Sequence, residues 1–267
     1  MHPILTESIL QKVILKLKRL ASYKLLNWYK LGEIQQAWYL KKLFKMYEID
    51  LVVDVGGNIG QYASFIRNKV SYKGKIITVE PMPFAAAELK EKFKNDKNWS
   101  LEQCAISKEE TTAEFNILKG HQMSSLSMPS SDSSDAMVGL QEIVEKITVK
   151  VRTLDAIFSE HPFAHTSKNI YLKLDIQGNE LAAMEGCKNS MNKIVALQAE
   201  FNVISIYENS IKYYVLMKEM EDRGYILSFV PAHNYRFFPD MVDFDCHYIK
   251  KEKMVEKGYL KSNKVAR

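Results

Sequence analysis

The sequence predicts a doubly wound α/β fold on a mainly parallel sheet, and three observations carry that reading. Ile49-Asp50-Leu51-Val52-Val53-Asp54-Val55 is a short, largely apolar run, the signature of a strand buried on both faces. A glycine-rich turn, Gly56-Gly57-Asn58-Ile59-Gly60, follows it and leads into a helical stretch that begins near Gln61. Strand-like and helix-like segments then alternate, as βαβ units require. A chain of 267 residues suits one such domain with additions.

Element by element, residues 1–48 read as helical, with repeated Leu, Ile, Trp and Tyr and no proline after Pro3. We take them as an accessory region packed on or near the domain of residues 49–250, which a basic tail of residues 251–267 follows. Within the domain, strands are expected over Ile49–Val55, Lys75–Glu80, Trp99–Ala105, Ala113–Leu118 and Ile147–Val151. Further strands are expected over Ile170–Leu174, Ile194–Glu200, Tyr225–Val230 and Phe244–Ile249. Helices are expected over Ala85–Phe93, Glu180–Met191 and Ser210–Arg223, and the serine-rich stretch from His121 to Asp135 reads as a loop. No internal repeat is visible.

Composition narrows the class. Hydrophobic residues make up 46% and charged residues 26%, which suits a globular protein with a large core. Cys104, Cys187 and Cys246 fit no zinc spacing, which points to a reducing compartment; no metal site is expected, a divalent cation between Asp175 and Glu200 being the lesser alternative. The net charge of +5 sits partly at the ends, in Lys12, Lys16, Lys18 and Arg19 and in Lys257, Lys261, Lys264 and Arg267. These are read as solvated faces, with weak peripheral contact with an anionic membrane or glycan as the alternative. No basic run is interleaved with stacking aromatics, so nucleic acid is not an expected partner. The first residues show helical spacing broken by lysines rather than an export signal, and no stretch is long enough to span a bilayer. The expected location is cytoplasmic.

The glycine turn is the most informative segment, because open α/β sheets bind nucleotides where a buried strand meets a helix. A dinucleotide fingerprint would need glycine at Gly56, Asn58 and Gln61, and two of the three are missing. Asp54, two positions before the first glycine, suits a positively charged ligand. S-adenosylmethionine, with an ammonium, a sulfonium and no phosphate, meets that description. Asn58 takes the place of a further glycine, since asparagine tolerates left-handed backbone. Glu80, at the end of the second strand, is placed to accept both ribose hydroxyls of an adenosine. Cys104, Ala105 and Ile106 then flank the adenine by position.

These residues and two later segments resemble the FkbM family of S-adenosylmethionine-dependent methyltransferases. The matching pieces are residues 54–60, Glu80-Pro81-Met82-Pro83, Thr153-Leu154-Asp155, Leu172-Lys173-Leu174-Asp175-Ile176-Gln177-Gly178-Asn179-Glu180 and Gln198-Ala199-Glu200. The resemblance covers roughly residues 50–250. It implies the class I methyltransferase (Rossmann-like) fold: a seven-stranded sheet with an antiparallel last strand and the cofactor across the carboxyl ends of strands one and two. Pro81 joins the cofactor-binding set with Asp54, Gly56, Gly57, Asn58, Gly60, Glu80, Cys104, Ala105 and Asp175. The family's chemistry implies O-methylation of sugars or small secondary metabolites. Gly57 departs from the alanine more usual there, and either small residue is expected to fit.

At the chemical end, Lys173 and Asp175 point to one side of a strand whose Leu172 and Leu174 face the other. Methyl transfer to an alcohol needs an aligned oxygen and removal of its proton, and a positioned base contributes about two to four orders of magnitude. Asp175 is the expected base or hydroxyl-orienting group, with Lys173 and Glu180 setting its charge environment. The alternative is a structural ion pair capping the next helix. Gln177, Glu200, Ser124, Ser125 and His121 are expected around the acceptor, with Ser124-Ser125-Leu126 as a lid, and His121 and His233 as lesser bases. Two other functions compete: a dinucleotide-dependent oxidoreductase or epimerase, and a catalytically silent binding module of a glycan-synthesising complex.

Overall fold

A computed structural model describes residues 28–130, 139–208, 210–231 and 241–261. In chain order the strands are β1 (Leu51–Val55), β2 (Lys75–Val79), β3 (Trp99–Glu102), β4 (Ala105–Ile106), β5 (Thr111–Leu118), β6 (Ile143–Arg152), β7 (Ile170–Leu174), β8 (Ile194–Asn202), β9 (Tyr225–Phe229) and β10 (Asp243–Lys250). The helices are α1 (Trp28–Met46), α2 (Gln61–Asn68), α3 (Pro83–Lys92), α4 (Leu154–Glu160), α5 (Pro162–Thr166), α6 (Glu180–Glu185), α7 (Tyr213–Asp222) and α8 (Lys251–Glu256).

Seven strands form the main sheet in the order β3-β2-β1-β7-β8-β10-β9. Its pairs are parallel except those of β10, which runs antiparallel to both β8 and β9. All five residues of β1 and of β7 are buried, so both strands read as near-continuous apolar runs. One face packs Leu154, Ile157, Phe158, Met184 and Leu216 against Val53, Leu172 and Leu197. The other packs Leu40, Leu43 and Phe44 of α1 and Ile66 of α2 against Val52, Tyr171, Ala196 and Ile249.

The boundary expected after residue 48 therefore crosses a packed interface, since α1 shares a core with the sheet. The basic stretch from residue 251 begins with α8, and residues 262–267 lie outside the described residues.

The expected strand Trp99–Ala105 divides in two. The Cys104 amide turns back to the Glu102 carbonyl at 3.1 Å, and Ala105–Ile106 joins a second sheet, β4-β6-β5. Strand β6 begins earlier than its apolar pattern suggests, because residues 143–148 are largely exposed and carry no burial signal. Helix α6 is shorter than expected. It stops at Gly186, where a Cβ would lie 2.4 Å from the Ser107 carbonyl oxygen.

Thr153 and Asp155 hold this framework together. Thr153 Oγ1 accepts the Ala156 amide at 3.1 Å as the cap of α4, and the Asp155 carboxylate accepts the Asn189 and Ser190 amides at 2.9 Å.

Candidate active site

The carboxyl ends of the parallel strands open into a cavity of about 790 Å³. Gly56 and Gly60 have φ of 80° and 81°, and Asn58 has 46°, so the turn after β1 uses left-handed backbone where glycine and asparagine serve best. The Gly56 and Gly57 amides donate to the Val79 carbonyl, which ties the turn to β2. A Cβ on Gly56 would lie 1.8 Å from the Asp175 carbonyl oxygen, so the turn is pressed against the end of β7.

Gly57 requires a correction. A Cβ there would lie 2.0 Å from Thr78 Cγ2, so alanine does not fit unless Thr78 moves. Thr78 is held in place, because its Oγ1 accepts the Trp99 indole N–H at 2.9 Å.

Glu80 stands at the tip of β2 and is 2% exposed. Its Oε2 accepts the Asn58 amide at 2.8 Å and its Oε1 the Met82 amide at 2.9 Å. Each carboxylate oxygen offers two lone-pair sites, so each can accept once more. Burial pushes its pKa up to about 7 against the pull of those two amides. Pro81, Met82, Cys104, Ala105 and Ile106 continue this wall of the cavity.

Asp54 requires a second correction. It is fully buried behind the turn and does not line the cavity. Its Oδ1 lies 3.2 Å from Lys173 Nζ, and Lys173 also reaches Asp175 Oδ2 at 3.2 Å and donates to the Gly56 carbonyl at 3.2 Å. Burial disfavours the lysine charge, but Asp175 and Asp54 together hold its pKa above the ordinary value. Burial raises that of Asp54. The charge that Asp54 was expected to offer a ligand is met inside the protein. Gly60 is likewise structural, since a Cβ there would lie 2.8–2.9 Å from Phe93 and Leu89.

Glu180 is the third correction. It is 3% exposed, accepts the Ile176 amide at 3.1 Å and the Gly178 amide at 3.3 Å, and does not line the cavity. Burial pushes it up to about 7. It fixes the turn that presents Asp175 and Gln177. Gln177, at φ 57°, donates from Nε2 to Asp175 and Glu200, both at 2.8 Å, and accepts the Tyr207 hydroxyl at 2.7 Å. Asp175, 36% exposed at its side chain, lines the cavity with Gln177 and Glu200.

Ser124 lines the cavity while its Oγ accepts the Leu118 amide at 3.1 Å. Ser125 does not line it. It is 1% exposed, donates to the Gln177 carbonyl at 2.8 Å and bridges to Asn116. The segment expected as a lid is thus fastened at Ser125 to the turn after β7. His121 lines the cavity 3.4 Å from the Asn58 side-chain amide, whereas His233 lies outside the described residues.

The structure adds residues that the sequence reading missed. Gln36 of α1 and Gln198, Asp243 and Asp245 line the same cavity. Buried beside it, His247 Nδ1 lies 2.9 Å from the Tyr171 hydroxyl and its Nε2 lies 3.2 Å from Gln36 Nε2. Burial lowers the His247 pKa to about 3. Gln198 Oε1 accepts from Tyr62 at 2.8 Å and Gln36 at 3.2 Å, while its Nε2 donates to Asp245 at 2.9 Å. The polar alternation Asp243, Asp245, His247 within an otherwise apolar strand was the available signal.

With this geometry in view, residues 54–237 match the Methyltransferase FkbM domain. The chain belongs to the FkbM methyltransferase family. No curated protein matches it.

Among solved structures it is similar to methyltransferase FkbM from Methylobacillus flagellatus KT, at 16% identity and a TM-score of 0.48. That match covers 75% of this chain and 43% of the other, so the chain spans less than half of that protein. It is also similar to Aeropyrum pernix fibrillarin in complex with natively bound S-adenosyl-L-methionine, at 15% identity and a TM-score of 0.43 over 75% and 66% of the two chains. A third likeness is to magnesium protoporphyrin IX methyltransferase from Synechocystis PCC 6803 with bound SAM, at 8% identity, TM-score 0.44, over 83% and 81%.

The cofactor of this FkbM family member is S-adenosylmethionine. The cavity fits it, with Gly56, Gly57 and Asn58 facing it from the turn, a buried acid with acceptor capacity left over and an adjoining apolar wall. Family membership sets aside the dinucleotide alternative.

Proposed function

We propose that this chain transfers the methyl group of S-adenosylmethionine to a hydroxyl oxygen of a sugar, a glycan or a small secondary metabolite. The observation that carries the proposal is the placement of Asp175. Its carboxylate faces the cavity at the end of β7, between the Glu80 wall and the acceptor side. Lys173 holds one of its oxygens at 3.2 Å and Gln177 the other at 2.8 Å.

In this reading Glu80 accepts the ribose hydroxyls, the Gly56-Gly57-Asn58 turn lies along the cofactor, and Cys104, Ala105 and Ile106 flank the adenine. Bound S-adenosylmethionine supplies a methyl group already activated as a sulfonium. Asp175 orients the acceptor hydroxyl and takes its proton, and Lys173 and Gln177 keep the carboxylate from rotating. Alignment of this kind contributes several kcal/mol to lowering a barrier. Glu200, Gln177, Ser124 and His121 border the acceptor.

Asp175→Asn is expected to leave S-adenosylhomocysteine affinity, measured by calorimetry, within about threefold while slowing turnover at least ~100-fold. Turnover close to wild type would reduce Asp175 to a structural member of the Lys173 cluster. Binding of S-adenosylhomocysteine with no methyl transfer to any hydroxyl acceptor would favour the silent-module reading. We also propose a cytoplasmic location with weak peripheral membrane contact through the basic ends; no helix among the described residues is long and apolar enough to cross a membrane.

A further inference from the structure

The registers of the main sheet line up three acids. Ala199 of β8 pairs with Leu174 of β7 on one side and Cys246 of β10 on the other. One step further, Glu200 is directly paired with Asp245 and stands beside Asp175. Like charges directly opposite on one sheet face destabilise it. All three side chains are partly exposed and line the cavity.

Among the described residues little offsets this charge. Gln177 Nε2 bridges Asp175 and Glu200, and Gln198 Nε2 holds one oxygen of Asp245, but amides are neutral. Lys173 is committed to Asp54 and Asp175, and the other cavity lysine among the described residues, Lys119, is paired with Glu142 at 3.2 Å. Among the described residues, Oε1 of Glu200 and Oδ2 of Asp245 accept no hydrogen bond. Burial and the neighbouring acids raise the pKa of Glu200 well above the usual range. They push that of Asp245 up to about 6. No group of three or more His, Cys, Asp or Glu among the described residues is arranged to hold a metal ion.

We propose that the acceptor carries a protonated amine beside the hydroxyl that is methylated, and that this ammonium is held between Glu200 and Asp245. The inference rests on the methyltransferase reading above and names its substrate class, an amino-polyol such as an amino sugar. An ammonium offers three donors and one positive charge, which answers both open carboxylate oxygens and the repulsion across β8 and β10. The neighbouring hydroxyl then falls toward Asp175, the third acid of the row.

The test uses the full chain saturated with S-adenosylhomocysteine. Calorimetry at pH 7.5 compares 2-amino-2-deoxy forms of glucose, galactose and mannose with the parent sugars. The expected result is at least about tenfold tighter binding of an amino form, the size of a charge-assisted hydrogen bond. Glu200→Gln and Asp245→Asn should abolish that preference while S-adenosylhomocysteine affinity stays within about twofold. Turnover with S-adenosylmethionine should place the methyl group on oxygen.

Equal or tighter binding of the parent sugars, absence of binding by every amino form, or methylation of nitrogen would each overturn the inference. Failure of S-adenosylhomocysteine itself to bind would instead strike the underlying reading. Melting at pH 8 gives a readout independent of the probe. Each variant, relieved of repulsion, should melt at or above wild type, and a fall of several degrees in both would show the row to be compensated within the chain.

Discussion

Glu80 accepts two backbone hydrogen bonds, and burial pushes its pKa up to about 7, so in the free protein it takes up a proton near neutrality. Its pKa is higher folded than in an open chain, near 4.5, so the folded state binds the extra proton. Its contribution favours folding below pH 4.5 and is lost as pH rises to about 7. Ribose hydroxyls donate to the ionised form, so S-adenosylhomocysteine affinity should rise from about pH 6 to 8 with proton release, measured by calorimetry in two buffers. Glu80→Gln should flatten that dependence and weaken binding by about 1–3 kcal/mol. Gly57→Ala should lower the melting temperature because of Thr78, and adding Thr78→Ser, which keeps the bond to Trp99 and removes Cγ2, should restore most of it. Additive losses in that pair would show that the clash is not the cause. Glycine turns and strand-end acids are legible in a sequence because their position follows from chain order alone. The partner of Asp54 was not, because Lys173 is 119 positions away and only the β1–β7 register sets them side by side.

Helix α1 shows what the element scale adds. Leu40 is fully buried and Gln36 bonds Gln198 and approaches His247, so this helix supports both the core and one wall of the cavity. Leu40→Ala should cost about 2–5 kcal/mol in denaturant unfolding. Removal of residues 1–40 should cost more than that and weaken acceptor binding through loss of Gln36; an unchanged unfolding curve would show the helix to be the accessory element expected from the sequence. Its helical character was readable from its Leu, Trp and Tyr spacing. Its docking was not, since a repeating apolar face does not say which surface it covers. The short α6 and the divided β3 and β4 were hidden for a related reason. A Gly186 contact with Ser107 and a turn at Cys104 are tertiary facts that leave little mark on local pattern.

At the scale of the whole molecule, the second sheet is fastened to the first through Arg152. This residue is 6% exposed, lies 3.5 Å from both Glu102 and Glu110, and donates to Glu160. Arg152 is buried but its three acids are 24%, 48% and 64% exposed at their side chains, so removing the arginine costs about 1–3 kcal/mol, less than breaking a fully buried pair. Arg152→Met should lower stability by that order in thermal melting. It should also weaken S-adenosylhomocysteine binding, because the inner end of β6, at Val151 and Arg152, pairs with Ala105 and Ile106 of β4. Unaltered binding would show that the Cys104–Ile106 wall stands without the second sheet. The alternation of the βαβ units, and with it the main sheet, was legible from sequence. The second sheet was not, because β4 has two residues and most of the outer half of β6 is exposed.

The two halves of the cavity differ in how far along the chain their parts lie. The glycine turn, Glu80 and the wall of Cys104, Ala105 and Ile106 fall within residues 56–106, whereas the acid row joins residues 175, 200 and 245. Strand β10 also follows β9 in the chain yet lies between β8 and β9 in the sheet. Distant pairings form slowly, because loop closure must come before any contact rewards it. As the polypeptide leaves the ribosome, the seat for the methyl donor can therefore take shape well before the place for its recipient. If the proposed acid row selects the recipient, that selectivity is expected to be the last property to form as the chain folds.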